Sequence, residues 1–186
     1  MLKTKIAVFV SGGGTNFEAL INAQENGKIP HGEIVLMVSS SKTAYALKRA
    51  ENHGIKSVVC SKKELGSQER FEEEILKNLE ENDIQLIVLA GFMSILSKEF
   101  TKKYENRIIN IHPSLIPSFC GEGFYGLHVH EAALKKGVKV TGATVHIVNE
   151  IPDGGPIIMQ RAVYVEENDT PEILQKRVME QAEWKI

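Results

Sequence analysis

Cysteine is scarce in this chain. Only Cys60 and Cys120 occur in 186 residues, far apart and in no Cys-x-x-Cys pair, which argues against a disulfide framework and against a thiolate zinc site. Cys60 is expected to pack at a strand end, while Cys120 stands in a glycine-rich loop with no evident base to activate it. Excess basic charge is lacking too. A net charge of -2 offers no electrostatic footprint for nucleic acid, because neutralising many phosphates takes a basic face. No apolar stretch approaches membrane-spanning length, and residues 1–5 run straight into a strand-like segment with no signal-peptide pattern. The expectation is a cytoplasmic protein, one domain over residues 1–186, that meets neither membrane nor nucleic acid. Its charges interleave along helical segments, as in Lys62-Lys63-Glu64 and Glu69-Arg70 before Glu72-Glu73-Glu74, and read as solvated faces.

Two phosphate motifs are also missing. Residues 5–10 form a short apolar run rich in β-branched side chains, followed at once by Ser11-Gly12-Gly13-Gly14-Thr15-Asn16 and then by Phe17, Leu20 and Ile21 at helical spacing. Strand, glycine turn, helix is an arrangement that points free backbone N–H groups at an anion, with the positive end of the helix behind them. Ser11, Thr15 and Asn16 add possible side-chain donors; the plainer reading is a tight turn and nothing more. No Gly-Lys-Ser/Thr follows, so a nucleotide-hydrolysing P-loop is excluded. The dinucleotide fingerprint fails as well, since Phe17 takes the place of its third glycine and Val38-Ser39-Ser40 supplies no acidic residue for a ribose. A nicotinamide cofactor is not expected.

What the sequence does contain is a repeated alternation. Strands are expected at 34–38, 57–60 and 86–90, with helices between them at 44–52, closed by Gly54, and from a cap near Ser67 through Phe71, Ile75 and Leu79. Residues 86–90 are apolar throughout, as a central parallel strand should be, and lead into Gly91-Phe92-Met93. Ser97 caps a short helix carrying Phe100 and Tyr104. The fold class predicted is α/β: a Rossmann-like, open, mainly parallel twisted sheet with helices on both faces. In such sheets ligands bind beyond the carboxyl ends of the strands. The glycine turn, Gly91-Phe92-Met93 and the next segment all follow such ends and are expected to share a rim.

That next segment is Asn110-Ile111-His112-Pro113-Ser114-Leu115-Ile116-Pro117. Residues two apart on extended backbone point the same way, so Asn110 and His112 can converge on one atom, and Pro113 biases His112 towards extended geometry. On those residues alone, the motif can equally be a strand end. Residues 118–126 read as a loop able to close over a ligand, or as an ordinary surface excursion. A short helix around Ala132 follows. Residues 141–148 alternate as a strand with one face less buried, Thr144 and His146 sharing a side. Asn149-Glu150-Ile151-Pro152-Asp153-Gly154-Gly155-Pro156 is a second tightly defined loop, 157–165 a further strand, and Thr170-Pro171-Glu172 the start of a last helix. That helix ends with neither cap nor glycine, and the C-terminus reads as cut short.

An amide N–H and an imidazolium aimed at one point stabilise an oxyanion, and a carboxylate such as Asp153 favours the charged imidazole and assists proton transfer. No serine or cysteine is placed as a nucleophile. The chemistry implied is direct transfer of an acyl group to an amine or to water.

The glycine turn, Ala90-Gly91-Phe92-Met93, the Asn110 to Pro117 segment and Asp153-Gly154-Gly155-Pro156 together resemble the phosphoribosylglycinamide formyltransferases, a family of folate-dependent enzymes of purine synthesis, over essentially the whole chain. The resemblance implies that Gly12, Gly13, Gly14, Thr15 and Asn16 cradle the phosphate of glycinamide ribonucleotide. It implies that Met93, Ser94, Ile95, Leu96, Asn110, Asn149, Ile151 and Asp153 bind 10-formyltetrahydrofolate as co-substrate. Asn110 and His112 would hold the formyl oxygen, Asp153 would charge His112, and the family's last-helix glutamate, which falls at Glu183 with one inserted residue and at Ala182 without it, would reach the ribonucleotide. No metal is implied, and the protein would act as a monomer or homodimer. Ser94 and Gln68 stand where the family has arginines, Cys120 replaces a proline, and the loop after it is longer than usual. The alternatives are a formyltetrahydrofolate hydrolase, which shares the trio but has no use for a phosphate turn, and a non-catalytic folate or nucleotide binder.

Overall fold

Residues 2–186 are described by the computed structural model. The elements, in order, are β1 (Thr4–Val10), α1 (Thr15–Glu25), β2 (Gly32–Ser39), α2 (Ala46–Asn52), β3 (Lys56–Val59), α3 (Lys62–Leu65), α4 (Gln68–Glu81), β4 (Leu86–Leu89), α5 (Lys98–Lys103), β5 (Ile108–His112), α6 (Leu127–Lys136), β6 (Val140–Ile147), β7 (Ile157–Tyr164) and α7 (Pro171–Gln181), with a 3-10 turn at Glu183–Lys185. The strands make one seven-stranded sheet in the order β3-β2-β1-β4-β5-β6-β7. β1 runs parallel to β2 and β4, and β2 parallel to β3, whereas β6 and β7 are antiparallel. This is the α/β, mainly parallel open sheet that the alternation predicts. Its residues fall into two compact units, 1–109 and 110–186, and the chain passes from one to the next within β5.

In the first unit every residue from Ile6 to Val10 is buried, as a parallel strand covered on both faces requires. The period of two divides them. Val8 and Val10 pack with Met37 against Phe17 and Ile21 of α1 and Ala46 and Ala50 of α2. Phe9 points the other way and meets the edge of Phe92, which stacks on Phe71 of α4. Ser67 caps α4 by accepting the Arg70 N–H, and Phe71, Ile75 and Leu79 are wholly buried along it. One reading is corrected here. Glu72, expected on a solvated face, is 7% exposed; its carboxylate accepts from the backbone N–H and hydroxyl of Ser97, both at 2.6 Å, and from Gln68. The first turn of a helix leaves N–H groups without partners, and this carboxylate supplies an acceptor just ahead of α5.

The second unit packs Ala133 of α6, Ala143, Val163, Leu174, Val178 and Ala182 into one cluster. α7 starts as expected, with the Thr170 hydroxyl accepting from the Ile173 N–H at 3.3 Å and Pro171 in the first turn. Leu174 and Val178 face inward, while Ile173 and Trp184 are exposed. β6 departs from a half-solvated strand: its polar side chains are the hidden ones, with Thr144 and His146 both buried. They are affordable there because they are satisfied. The Thr144 hydroxyl donates to the Ser114 carbonyl at 2.7 Å and accepts from the Ile116 N–H, as buried hydroxyls generally must. Among the described residues no helix is long and apolar enough to cross a membrane.

Candidate active site

The glycine turn leaves β1 and enters α1. At Gly14 the fold itself requires glycine: φ is +71°, and a Cβ would lie 2.8 Å from the Ala46 Cβ. Gly12 and Gly13 differ. A Cβ on either would meet nothing within 4 Å, so packing within the protein gives no reason for them, whereas a ligand approaching the backbone would. No side chain caps α1 at Gly14, which leaves the helix start to offer N–H groups and its positive end to an anion. Thr15 is exposed and Asn16 half-buried. Ser11, expected as another donor, is instead a brace. Its N–H donates to the Gly91 carbonyl, its hydroxyl bonds that of Ser40 at 2.6 Å, and it accepts from the Met93 N–H at 2.8 Å.

This brace presents the segment after β4. Gly91 takes a left-handed φ of +73°, and Met93 and Ile95 hold large apolar side chains in solvent, 52% and 69% exposed. Ser94 is half-buried. Leu96 turns inward at 7% exposed, so its backbone is what a ligand would meet. Gln68 donates to the Ile95 carbonyl at 3.1 Å and so shapes this segment.

In the second unit Asn110 and His112, two apart on β5, converge as extended geometry predicts. Both reach one carboxylate: Asn110 Nδ2 lies 3.5 Å from Asp153 Oδ1, and His112 Nδ1 lies 3.4 Å from Asp153 Oδ2. Asp153 stands between β6 and β7 with φ +55°, on a loop its glycines make possible. A Cβ on Gly155 would sit 1.8 Å from the Ile147 carbonyl oxygen, and one on Gly154 2.6 Å from Ile151. Asn149 accepts from the Ile151 N–H at 3.0 Å, leaving the Ile151 side chain 60% exposed. Glu183 is half-buried in the 3-10 turn after α7.

Three participants were not singled out from the sequence. His146 is 2% exposed; its Nδ1 faces the Ile147 carbonyl at 2.9 Å, and its Nε2 lies 3.1 Å from Asn110 Nδ2 and 3.5 Å from Asp153 Oδ1. A carbonyl can only accept, so Nδ1 carries a proton, and Nε2 faces both the Asn110 amide and the Asp153 carboxylate. The Gly121 N–H donates to Asp153 Oδ2 at 2.8 Å, and His112 Nε2 donates to the Phe119 carbonyl at 2.8 Å. The loop read as a possible lid thus contributes backbone to the cluster. The signal for His146 lay in the alternation, which sets it on the same side as Thr144.

Burial alone would raise the Asp153 carboxyl, but hydrogen bonds from His146 and the Gly121 N–H, with the nearby His112 and His146 charges, hold it below the ordinary carboxylate range. Both His112 nitrogens face acceptors, an arrangement that only the imidazolium satisfies fully. Behind it His130 is 1% exposed, with no hydrogen-bond partner for either ring nitrogen among the described residues; burial and the His112 charge push it down to about 4. Cys120 bonds the Pro117 carbonyl, and burial pushes its thiol up, away from nucleophilic duty. Among the described residues no group of three or more His, Cys, Asp or Glu could hold a metal ion.

Comparison with known proteins bears on this geometry. The sequence profile of the formyl transferase family matches residues 4–186. The chain is 48% identical over 178 residues to the trifunctional purine biosynthetic protein adenosine-3 of Gallus gallus, covering 96% of this chain and 17% of that protein. It is 39% identical over 178 residues to the chloroplastic phosphoribosylglycinamide formyltransferase of Arabidopsis thaliana, covering 95% of this chain and 61% of the other. The chain thus spans under two thirds of the length of these curated relatives. The crystal structure of phosphoribosylglycinamide formyltransferase from Bacillus halodurans superposes with a TM-score of 0.90 at 40% identity, covering 98% of this chain and 91% of that one. On the profile match, the shared fold and these identities, the chain belongs to the formyl transferase family.

Proposed function

We propose that the chain transfers the formyl group of 10-formyltetrahydrofolate to the amine of glycinamide ribonucleotide, a step of purine synthesis. The observation that carries this reading is the convergence of Asn110 and His112 on Asp153 at 3.5 and 3.4 Å. The glycine turn supports the ribonucleotide as acceptor, since Gly12 and Gly13 leave open backbone that a phosphate would fill. Gly14, Thr15 and Asn16 complete that cradle. In the first unit Met93, Ser94, Ile95 and the Leu96 backbone, and in the second Asn149 and Ile151, each offer groups that suit the flat, partly apolar pterin, and Glu183 suits the ribonucleotide. The two units serve as one formyltransferase domain.

In the reaction the amine attacks the formyl carbon, and the carbonyl oxygen becomes an oxyanion. Asn110 Nδ2, which lies 3.1 Å from His146 Nε2 and 3.5 Å from Asp153 Oδ1, turns an N–H to that oxygen in exchange for the longer contact. The formyl oxygen displaces the Phe119 carbonyl from His112 Nε2, and His112, kept charged by Asp153, donates to it. Collapse of the intermediate breaks the bond to the folate nitrogen, which takes up a proton as the amine loses one, and Asp153 mediates that transfer directly or through a water.

A spectroscopic assay for tetrahydrofolate release, run with and without glycinamide ribonucleotide, tests the proposal. Release should require the ribonucleotide. Release without it would identify a formyl-folate hydrolase instead, and silence in both would leave a folate or nucleotide binder.

A further inference from the structure

Two successive carbonyls of the glycine turn are drawn towards one helix. The Gly12 carbonyl accepts from the Ala46 N–H at 3.2 Å, and the Gly13 carbonyl accepts from Arg49 Nε at 2.8 Å. In a planar trans peptide the C=O and the following N–H point in opposite directions, and among the described residues the cis bond is elsewhere, at Ile116-Pro117. Holding those two oxygens on α2 therefore aims the N–H groups of Gly13 and Gly14 away from it. Successive N–H groups aimed alike make an anion-binding concavity.

Arg49 is itself fixed. Its Nη1 pairs with Glu18 at 3.0 Å, with the Arg49 side chain 24% exposed, and its guanidinium lies over the Tyr45 ring at 5.1 Å. Glu18 also meets His53 Nε2 at 3.2 Å, and His53 Nδ1 meets Glu25 at 2.9 Å. With its charge engaged by Glu18, Arg49 acts on the turn through the Gly13 carbonyl.

We infer that Arg49 is a positioning residue for the phosphate site, setting from α2 the peptide planes whose N–H groups receive the phosphate. The inference rests on the phosphate reading of the turn and adds the device that shapes it. It explains why the turn can carry glycines that packing does not demand: the conformation is imposed by the Arg49 and Ala46 donors.

The test is titration of inorganic phosphate into the glycine-15N-labelled protein, followed by NMR, at low and at high ionic strength. In the wild type, the Gly13 and Gly14 amides should shift. In Arg49→Met, phosphate affinity should fall about tenfold, as expected for loss of a hydrogen bond that orders the site, while glycine signals of the second unit stay in place. Arg49→Lys keeps the charge without the Nε donor and should recover only part of the affinity. The ratio of wild-type to variant affinity should hold across ionic strength, since a direct charge effect would shrink with salt. Phosphate shifts absent from the wild type would sink the phosphate reading itself. Shifts present in the wild type with unchanged affinity in Arg49→Met, or in Arg49→Lys should the first variant fail to fold, would overturn the role of Arg49 alone.

Discussion

The glycine turn of the first unit and the Asn110 cluster of the second are built in opposite ways. The glycine turn is nearly contiguous: Gly12 to Asn16 bring their own backbone donors, and one neighbouring helix holds two of their carbonyls in place. The cluster around Asp153 is assembled from distant positions. Asn110 and His112 come from β5, His146 from β6, Asp153 from the loop after it, and Phe119 and Gly121 from another loop. The contrast suits the proposed tasks. A phosphate is satisfied by main-chain N–H groups that any suitable turn can present, whereas an oxyanion with proton transfer needs distinct side chains whose charges depend on one another.

Substitutions can break this contrast. The largest effect is expected at Asp153→Asn, where turnover should drop on the order of a hundredfold to a thousandfold through loss of the charged His112 and of proton transfer. Ribonucleotide affinity, measured by calorimetry, should stay near the wild-type value; comparable losses in both would mean that Asp153 is not specific to the chemistry. A smaller effect separates two glycines of the turn. Gly14→Ala should lower stability by about 1–3 kcal/mol in a denaturant melt, because it adds strain at φ +71° and a contact with Ala46. Gly13→Ala should leave the melt within about 0.5 kcal/mol of wild type yet weaken ribonucleotide binding, since its methyl group would occupy space kept for the ligand. If Gly13→Ala binds normally, the turn is only a turn.

The smallest effect is in pH. Hydrogen bonds donated by His53 to Glu25 and Glu18 raise its pKa, so the folded state favours its charged form. That contribution is full below the ordinary value of 6.5 and is lost as pH rises through the raised one. The side chain is 21% exposed, which screens the pair and limits it to about 0.5 kcal/mol; melts of His53→Gln should show less alkaline loss than wild type. Asp153 has the opposite sign. Its depressed pKa gives stability above its ordinary 3.8 that is lost as pH falls through the folded value, and acid melts of Asp153→Asn should lack that portion.

Where the governing interactions are local, residue order already disclosed them. Periodicity set the strands and helices of the first unit, because an apolar side chain buries itself according to the repeat of its own element. The Ser67, Ser97 and Thr170 caps were legible for the same reason, each reaching only three residues ahead. The convergence of Asn110 and His112 followed from the two-residue repeat of a strand. Glu72 and His146 were misjudged or passed over because their partners, Ser97 and Asn110, lie 25 and 36 residues away, and a charged or polar residue reads as solvated until such a partner is known.

The sequence by itself determined the alternation of strand and helix, the positions of the glycine turn and of Asp153, and the chemical types at the site. Tertiary structure alone decided which carbonyls α2 holds, that the loop at Phe119 and Gly121 supplies backbone to the cluster, and that His146 steadies Asn110. The physical reason is reach: propensity, capping and periodicity act within a few residues, whereas a hydrogen bond between remote segments exists only once packing has brought its donor and acceptor together.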